Sequence, residues 1–230
     1  MLSWFQHTVS TTPKRTRAPK RTQSSTRHAT RGQRIYGTDR VGLVGFHDRG
    51  FTIARPTRLH DPRLQQRCQT LHERVSGMST NLTDGLRKGV GILSNTPPGI
   101  LRRIWLLTDG FPNRETDQIN AVIDAARLAY INVNTIGFGD RYDEALLRRI
   151  SSATHNGRFV SVRSLRQLTD ALGNSARRSF TKRRHQAECT MLIIDLSGSM
   201  ILGHMEGRRK IDVVEDALLQ VLNYKMSCFS

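Results

Sequence analysis

At 230 residues and 37% hydrophobic, the chain can bury the core of one sizeable α/β domain plus a tail, and is too short for two full domains. Its net charge of +17 would suit a nucleic-acid surface, but residues 1–38 hold eight Lys or Arg with no acid and residues 176–187 hold five with no acid, so the remainder is only mildly basic and no charged groove in the core is indicated. Three cysteines, Cys68, Cys189 and Cys228, form no C-x-x-C pair, which argues against a zinc ribbon or disulfide framework, and no apolar run approaches the roughly 20 residues that span a bilayer.

Residues 1–34 are rich in Arg, Ser and Thr and free of acid. They read as a basic disordered arm, with an organelle transit peptide as the alternative. Reduced thiols and the lack of a secretory signal make the cytoplasm the expected compartment. Order is expected from about Ile35. Val41-Gly42-Leu43-Val44-Gly45-Phe46 reads as a buried strand, Asp48-Arg49-Gly50 as a tight turn, and Phe51-Thr52-Ile53-Ala54 as the returning hairpin strand. Pro62 opens a helix expected over 62–75, and a second is expected over 82–93, ended by Asn95 and Pro97-Pro98. Asn81-Leu82-Thr83 is a formal glycosylation sequon that carries no weight without a secretory signal.

Ile104-Trp105-Leu106-Leu107 is the next strand, ending at Asp109. A helix over 116–130 carries Ile119, Ile123, Ala126 and Tyr130 near helical spacing. A strand over 131–138, a short helix over 144–152, a strand over 158–162 and a helix over 165–176 follow. Residues 177–188 form a basic linker. The last strand is expected over 190–194, and the last helix over 209–224 places Ile211, Val214, Leu218 and Val221 on one face. Strands alternating with helices imply an α/β fold: a Rossmann-like, mostly parallel sheet with one antiparallel edge hairpin strand and helices on both faces.

Ligands of such sheets bind beyond the carboxyl ends of the strands. Asp109 and Asp195 both stand at such ends. The run Met191-Leu192-Ile193-Ile194 leads into Asp195-Leu196-Ser197-Gly198-Ser199, a D-x-S-x-S loop. Two carboxylates brought together empty would repel, and a cation between them removes that cost. The hydroxyls of Ser197, Ser199 and Thr80 would add neutral oxygen ligands, a donor set suited to Mg²⁺ or Mn²⁺ rather than zinc. With few anionic ligands such a metal stays electrophilic and can accept a carboxylate from a partner.

These segments resemble a von Willebrand factor A-type domain with its metal-ion-dependent adhesion site. Residues 191–200 match the family's first strand and D-x-S-x-S loop, 209–222 its first helix, 39–46 its second strand, Thr80 its metal-loop threonine and Asp109 its second aspartate. The likeness covers about residues 35–225. The resemblance implies a non-enzymatic, metal-dependent protein-binding module in which a partner Asp or Glu completes the coordination of Mg²⁺ or Mn²⁺. The departure is order: family members begin with the strand that here comes last. A circularly permuted domain accounts for this, with residues 35–176 and 189–225 forming one unit sealed through the linker. A slice of a tandem array accounts for it as well. A permuted chain would keep its cut and seal on the face opposite the metal, and the arm would emerge there too.

Binding of nucleic acid through the arm and linker is the alternative function, since clustered Lys and Arg neutralise phosphates. No aromatic ribonucleoprotein pattern, helix-turn-helix cue or zinc finger accompanies them. Catalysis is not expected, because the chain has no G-x-S-x-G elbow, P-loop or H-E-x-x-H, and Ser197 stands where a haloacid-dehalogenase-type phosphotransferase needs a second aspartate. His204 follows the metal loop and could approach the site, although a lone loop histidine reads more simply as solvated. His47, His60, His72 and His155 carry no readable signal, and Arg102-Arg103 and Arg148-Arg149 read as solvated faces.

Overall fold

A computed structural model describes residues 39–177 and 186–227, and the side chains of all of these except 174–177. The basic arm, most of the basic linker and Cys228 lie outside the described residues.

Six strands make the main sheet: β1 (Arg40–Phe46), β2 (Gly50–Arg58), β3 (Leu101–Thr108), β4 (Ile131–Phe138), β5 (Phe159–Val162) and β6 (Glu188–Asp195). Their order across the sheet is β2-β1-β6-β3-β4-β5. Only β1 and β2 pair antiparallel, through the Asp48-Arg49-Gly50 turn, and every other pair is parallel. The last strand of the sheet in sequence is thus inserted between the first and the third. Phe46 pairs with Asp195 in register, so the carboxyl ends of β1 and β6 finish level.

From Cys189 to Asp195 every residue of β6 is buried, as a strand covered on both faces requires. Leu192 and Ile194 face one apolar layer with α1 (Pro62–Gln69), α5 (Leu165–Arg177) and α7 (Lys210–Ser227). Met191 and Ile193 face the other, with α2 (Leu82–Ser94), α3 (Ile119–Leu128) and α4 (Glu144–Ser152). A one-turn helix α6 (Ser199–Leu202) and a small hairpin, β7 (His204–Met205) with β8 (Arg208–Arg209), connect β6 to α7. Neither of these was visible in the sequence pattern. Among the described residues no helix is long and apolar enough to cross a membrane.

Three expectations change. The helix expected over 62–75 ends at Gln69 and is followed by a separate 3-10 turn, His72–Arg74. In a continuing α-helix the His72 N–H would bond four residues back, to Cys68; here it donates to the Glu215 carboxylate of α7 at 2.8 Å. The helix expected over 116–130 is a 3-10 turn, Thr116–Gln118, followed by α3. Tyr130 lies past its end at φ +52 and 75% exposed, so it belongs to no buried helical face. Arg102 and Arg103 are not solvated. Arg102 donates to the carbonyls of Ala129 (2.8 Å) and Thr96 (2.6 Å), and Arg103 pairs with Glu188 at 3.1 Å, stapling the amino ends of β3 and β6. The exposed pair Arg148-Arg149 does lie on the surface.

The sequon is closed by the fold. Asn81 and Thr83 are both buried, and Asn81 caps α2 by accepting from the Asp84 N–H. Cys68 and Cys189 are free, buried thiols, and burial pushes the Cys68 pKa up to about 12.

Candidate metal centre at the strand ends

Three loops meet at the carboxyl ends of β1, β3 and β6. The Leu196 N–H donates to Phe46 C=O (2.7 Å), and Leu196 C=O accepts from the Ser76 N–H (3.0 Å). The Gly198 N–H donates to Gly77 C=O (3.1 Å), and the Asn81 N–H donates to His47 C=O (2.7 Å). Gly77 holds φ +77, and a Cβ there would press on the Asp48 carboxylate, so a glycine is needed for this lock.

Asp195 is fully buried at the end of β6. One carboxylate oxygen accepts from the Thr108 hydroxyl at 2.5 Å and the other from the Ser197 N–H at 2.9 Å. Asp109, almost as deep, accepts from the Ser199 hydroxyl at 2.6 Å, and the Ser197 and Ser199 hydroxyls lie 3.0 Å apart. The two aspartates and two serines therefore form one connected cluster. Thr80 reaches it from another direction. Its N–H donates to Asn113 Oδ1 at 2.9 Å, its C=O accepts from the Asn113 N–H at 3.3 Å, and a Cβ on Gly110 would stand 3.5 Å from its hydroxyl. Four of the five residues named from the sequence are joined in that cluster, and Thr80 lies against Gly110, next in sequence to Asp109.

Burial is the main force on Asp195. It raises the carboxyl pKa to about 6 from an ordinary 3.8, with the Thr108 hydrogen bond opposing and the Asp109 charge reinforcing. Removing the carboxylate from water disfavours its charged form, and that is what sets the direction. Among the described residues no three His, Cys, Asp or Glu side chains converge. A cation here would have two carboxylates and hydroxyl oxygens, a set that fits a hard divalent ion and suits zinc poorly.

Three participants went unrecognised in the sequence. Thr108 follows the apolar run of β3 and, one step beyond the Leu107–Ile194 pair, reaches Asp195 across the sheet; a polar residue closing a buried strand was its signal. Asn113 holds the Thr80 loop. Lys210, the first residue of α7, places its ammonium 2.7 Å from Asp109 Oδ2. A cation at a helix N-terminus opposes the helix dipole, and that anomaly marked it. His204 is exposed on β7, paired with Arg209 in register, and joins no part of the cluster.

A mostly parallel sheet with helices on both faces and oxygen side chains gathered at its carboxyl pole defines a Rossmann-like α/β domain. The chain belongs to the von Willebrand factor type A domain family, whose model matches residues 33–174. The matched span ends before β6, so the D-x-S-x-S loop lies outside it. No curated protein matches the chain in sequence. Among solved structures it is similar to an uncharacterized membrane spanning protein from Vibrio fischeri, at 20% identity over 65% of this chain and 83% of that one, with a TM-score of 0.31.

Proposed function

We propose that this domain is a non-enzymatic protein-interaction module that captures a partner's Asp or Glu through a divalent cation. Protein interaction is the general role of the family. The observation that carries the metal-dependent form is the cluster itself: two buried carboxylates from β3 and β6, linked through the Ser197 and Ser199 hydroxyls. Asp195, Ser197, Ser199, Thr80 and Asp109 would hold Mg²⁺ or Mn²⁺. The bound ion would supply an electrophilic position for a partner carboxylate. The chain's own part is to hold these oxygens in place: Thr108 and the Ser197 N–H fix Asp195, and Asn113 fixes the Thr80 loop.

We further read the chain as a circularly permuted domain. The insertion of β6, parallel on both sides, between β1 and β3 supports this reading. So does the meeting of the start of β1, the start of β6 and the last turn of α7. Asp39 accepts from the Glu188 N–H at 3.0 Å, and Lys225 of α7 lies beside Val41 and Glu188, all at the amino pole away from the cluster. A cytoplasmic setting remains part of the proposal.

Calorimetric titration of Mg²⁺ and Mn²⁺ into the full chain and into Asp195→Ala, with the mass checked by light scattering, tests both parts. Saturable binding by a monomer, abolished by the substitution, is the expected result. Binding confined to a dimer would replace the permuted domain with halves swapped between chains. A folded monomer that binds neither ion would overturn the metal-dependent mechanism.

A further inference from the structure

We propose that Lys210 is the resident counter-cation of this site, and that a divalent ion gains Asp109 only by displacing it; the inference rests on the metal reading above. The Lys210 ammonium lies 2.7 Å from Asp109 Oδ2. The lysine side chain is 13% exposed and the aspartate side chain 0%, so water screens the pair little. The other oxygen of Asp109 accepts from Ser199. Both carboxylate oxygens are therefore already engaged, one by a full positive charge.

The lysine is held in a shaped slot. Its N–H donates to Gly203 C=O at 3.0 Å, and its stem runs over Gly203, where a Cβ would stand 3.0 Å from Cδ and Cε. Its ammonium passes over Gly139, at φ +92, where a Cβ would stand 3.1 Å away. Two residues without side chains thus clear the path from the start of α7 to Asp109. The neighbouring Arg209 points elsewhere, paired with Asp212 at 2.7 and 2.8 Å.

Mg²⁺ takes carboxylate oxygens at about 2.0–2.1 Å, closer than an ammonium approaches. A dication and an ammonium on the same carboxylate repel strongly where the dielectric is low. The lysine must therefore leave Asp109 as the ion enters. That exchange lowers metal affinity, protects the metal-free fold from paired bare carboxylates, and ties the ion's arrival to the first turn of α7.

The test is Mg²⁺ titration of the wild-type chain and Lys210→Met, with circular dichroism confirming the fold. The substitution is expected to tighten Mg²⁺ binding by about tenfold or more and to lower the melting temperature only in the absence of the ion. Equal or weaker affinity in Lys210→Met would overturn the inference while leaving the metal site standing. Failure of both proteins to bind Mg²⁺ or Mn²⁺ would remove the site and the inference together. Should the variant not fold, the wild type answers alone. Acetylation of Lys210 by an N-hydroxysuccinimide ester, read by mass spectrometry, is expected to rise when Mg²⁺ is added, and unchanged labelling at saturating Mg²⁺ would overturn the proposal.

Discussion

Asp195 is where residue chemistry sets the behaviour of the site. Its carboxyl is raised by burial to about 6 in the folded chain, against an ordinary 3.8. The folded state therefore holds this proton more tightly than the unfolded chain does. Sign follows directly: the contribution is neutral below about pH 4, becomes increasingly destabilising as pH rises towards 6, and stays fully destabilising above that. The full penalty is on the order of 2–3 kcal/mol. Asp195→Asn removes the charge and keeps the shape. Urea melts of the metal-free proteins should show the variant more stable at pH 7.5 and nearly equal to wild type at pH 3. A difference independent of pH would refute the assignment. In the wild type, Mg²⁺ affinity should fall by up to about tenfold per pH unit below 6, because the ion must then release the Asp195 proton.

Between elements, the contacts that matter are polar ones made over long sequence distances. Glu215, buried on α7, accepts from both the N–H and the Nδ1 side of His72, at 2.8 and 2.9 Å. This joins the turn after α1 to the helix that begins at the metal cluster. Glu215→Ala leaves the His72 N–H without its acceptor and should cost about 1–3 kcal/mol. Glu215→Gln keeps an acceptor oxygen and should recover most of that loss, with denaturant melts reading both. A comparable brace holds the loop after β3: Glu115 accepts from Asn81 at 2.9 Å and pairs with Arg87 at 2.9 Å, which also pairs with Asp84. Arg87 and Asp84 both belong to α2, and Asp84 also accepts from the Gly50 N–H at 2.7 Å, docking the β1–β2 turn. Helix α2 is thus the post to which the β1–β2 turn and the loop after β3 are fastened.

At the scale of the molecule, the sheet depends on its last strand. Without β6 the strands β1 and β3 would have no partner between them, and Leu192, Ile193 and Ile194 would be missing from both apolar layers. Residues 1–177 expressed alone should therefore fail to give a cooperative melt. Co-expression with residues 186–230 as a second chain should restore one, along with Mg²⁺ binding, because β6 pairs along its length on both sides and needs no covalent link to be held. A soluble, cooperatively folded 1–177 fragment would count against this architecture.

Much of the fold was legible because burial on both faces leaves a simple mark. The apolar runs of β1, β3, β4 and β6 announced a parallel sheet, and the apolar stripe at Ile211, Val214, Leu218 and Val221 announced α7. The two aspartates and the D-x-S-x-S loop were legible because carboxylates closing buried strands are costly and therefore conspicuous. What local pattern could not carry were decisions made by distant partners. His72 leaves the helix for Glu215, 143 residues away; Arg103 is drawn inward by Glu188; Lys210 crosses two glycines to reach Asp109, 101 residues away. Apolar runs and periodicity by themselves determined the class of fold, and the D-x-S-x-S motif with Asp109 pointed to oxygen chemistry at its pole. Only the tertiary structure decided which cation already stands there, because an ion pair between sequence-distant residues leaves no period in the chain.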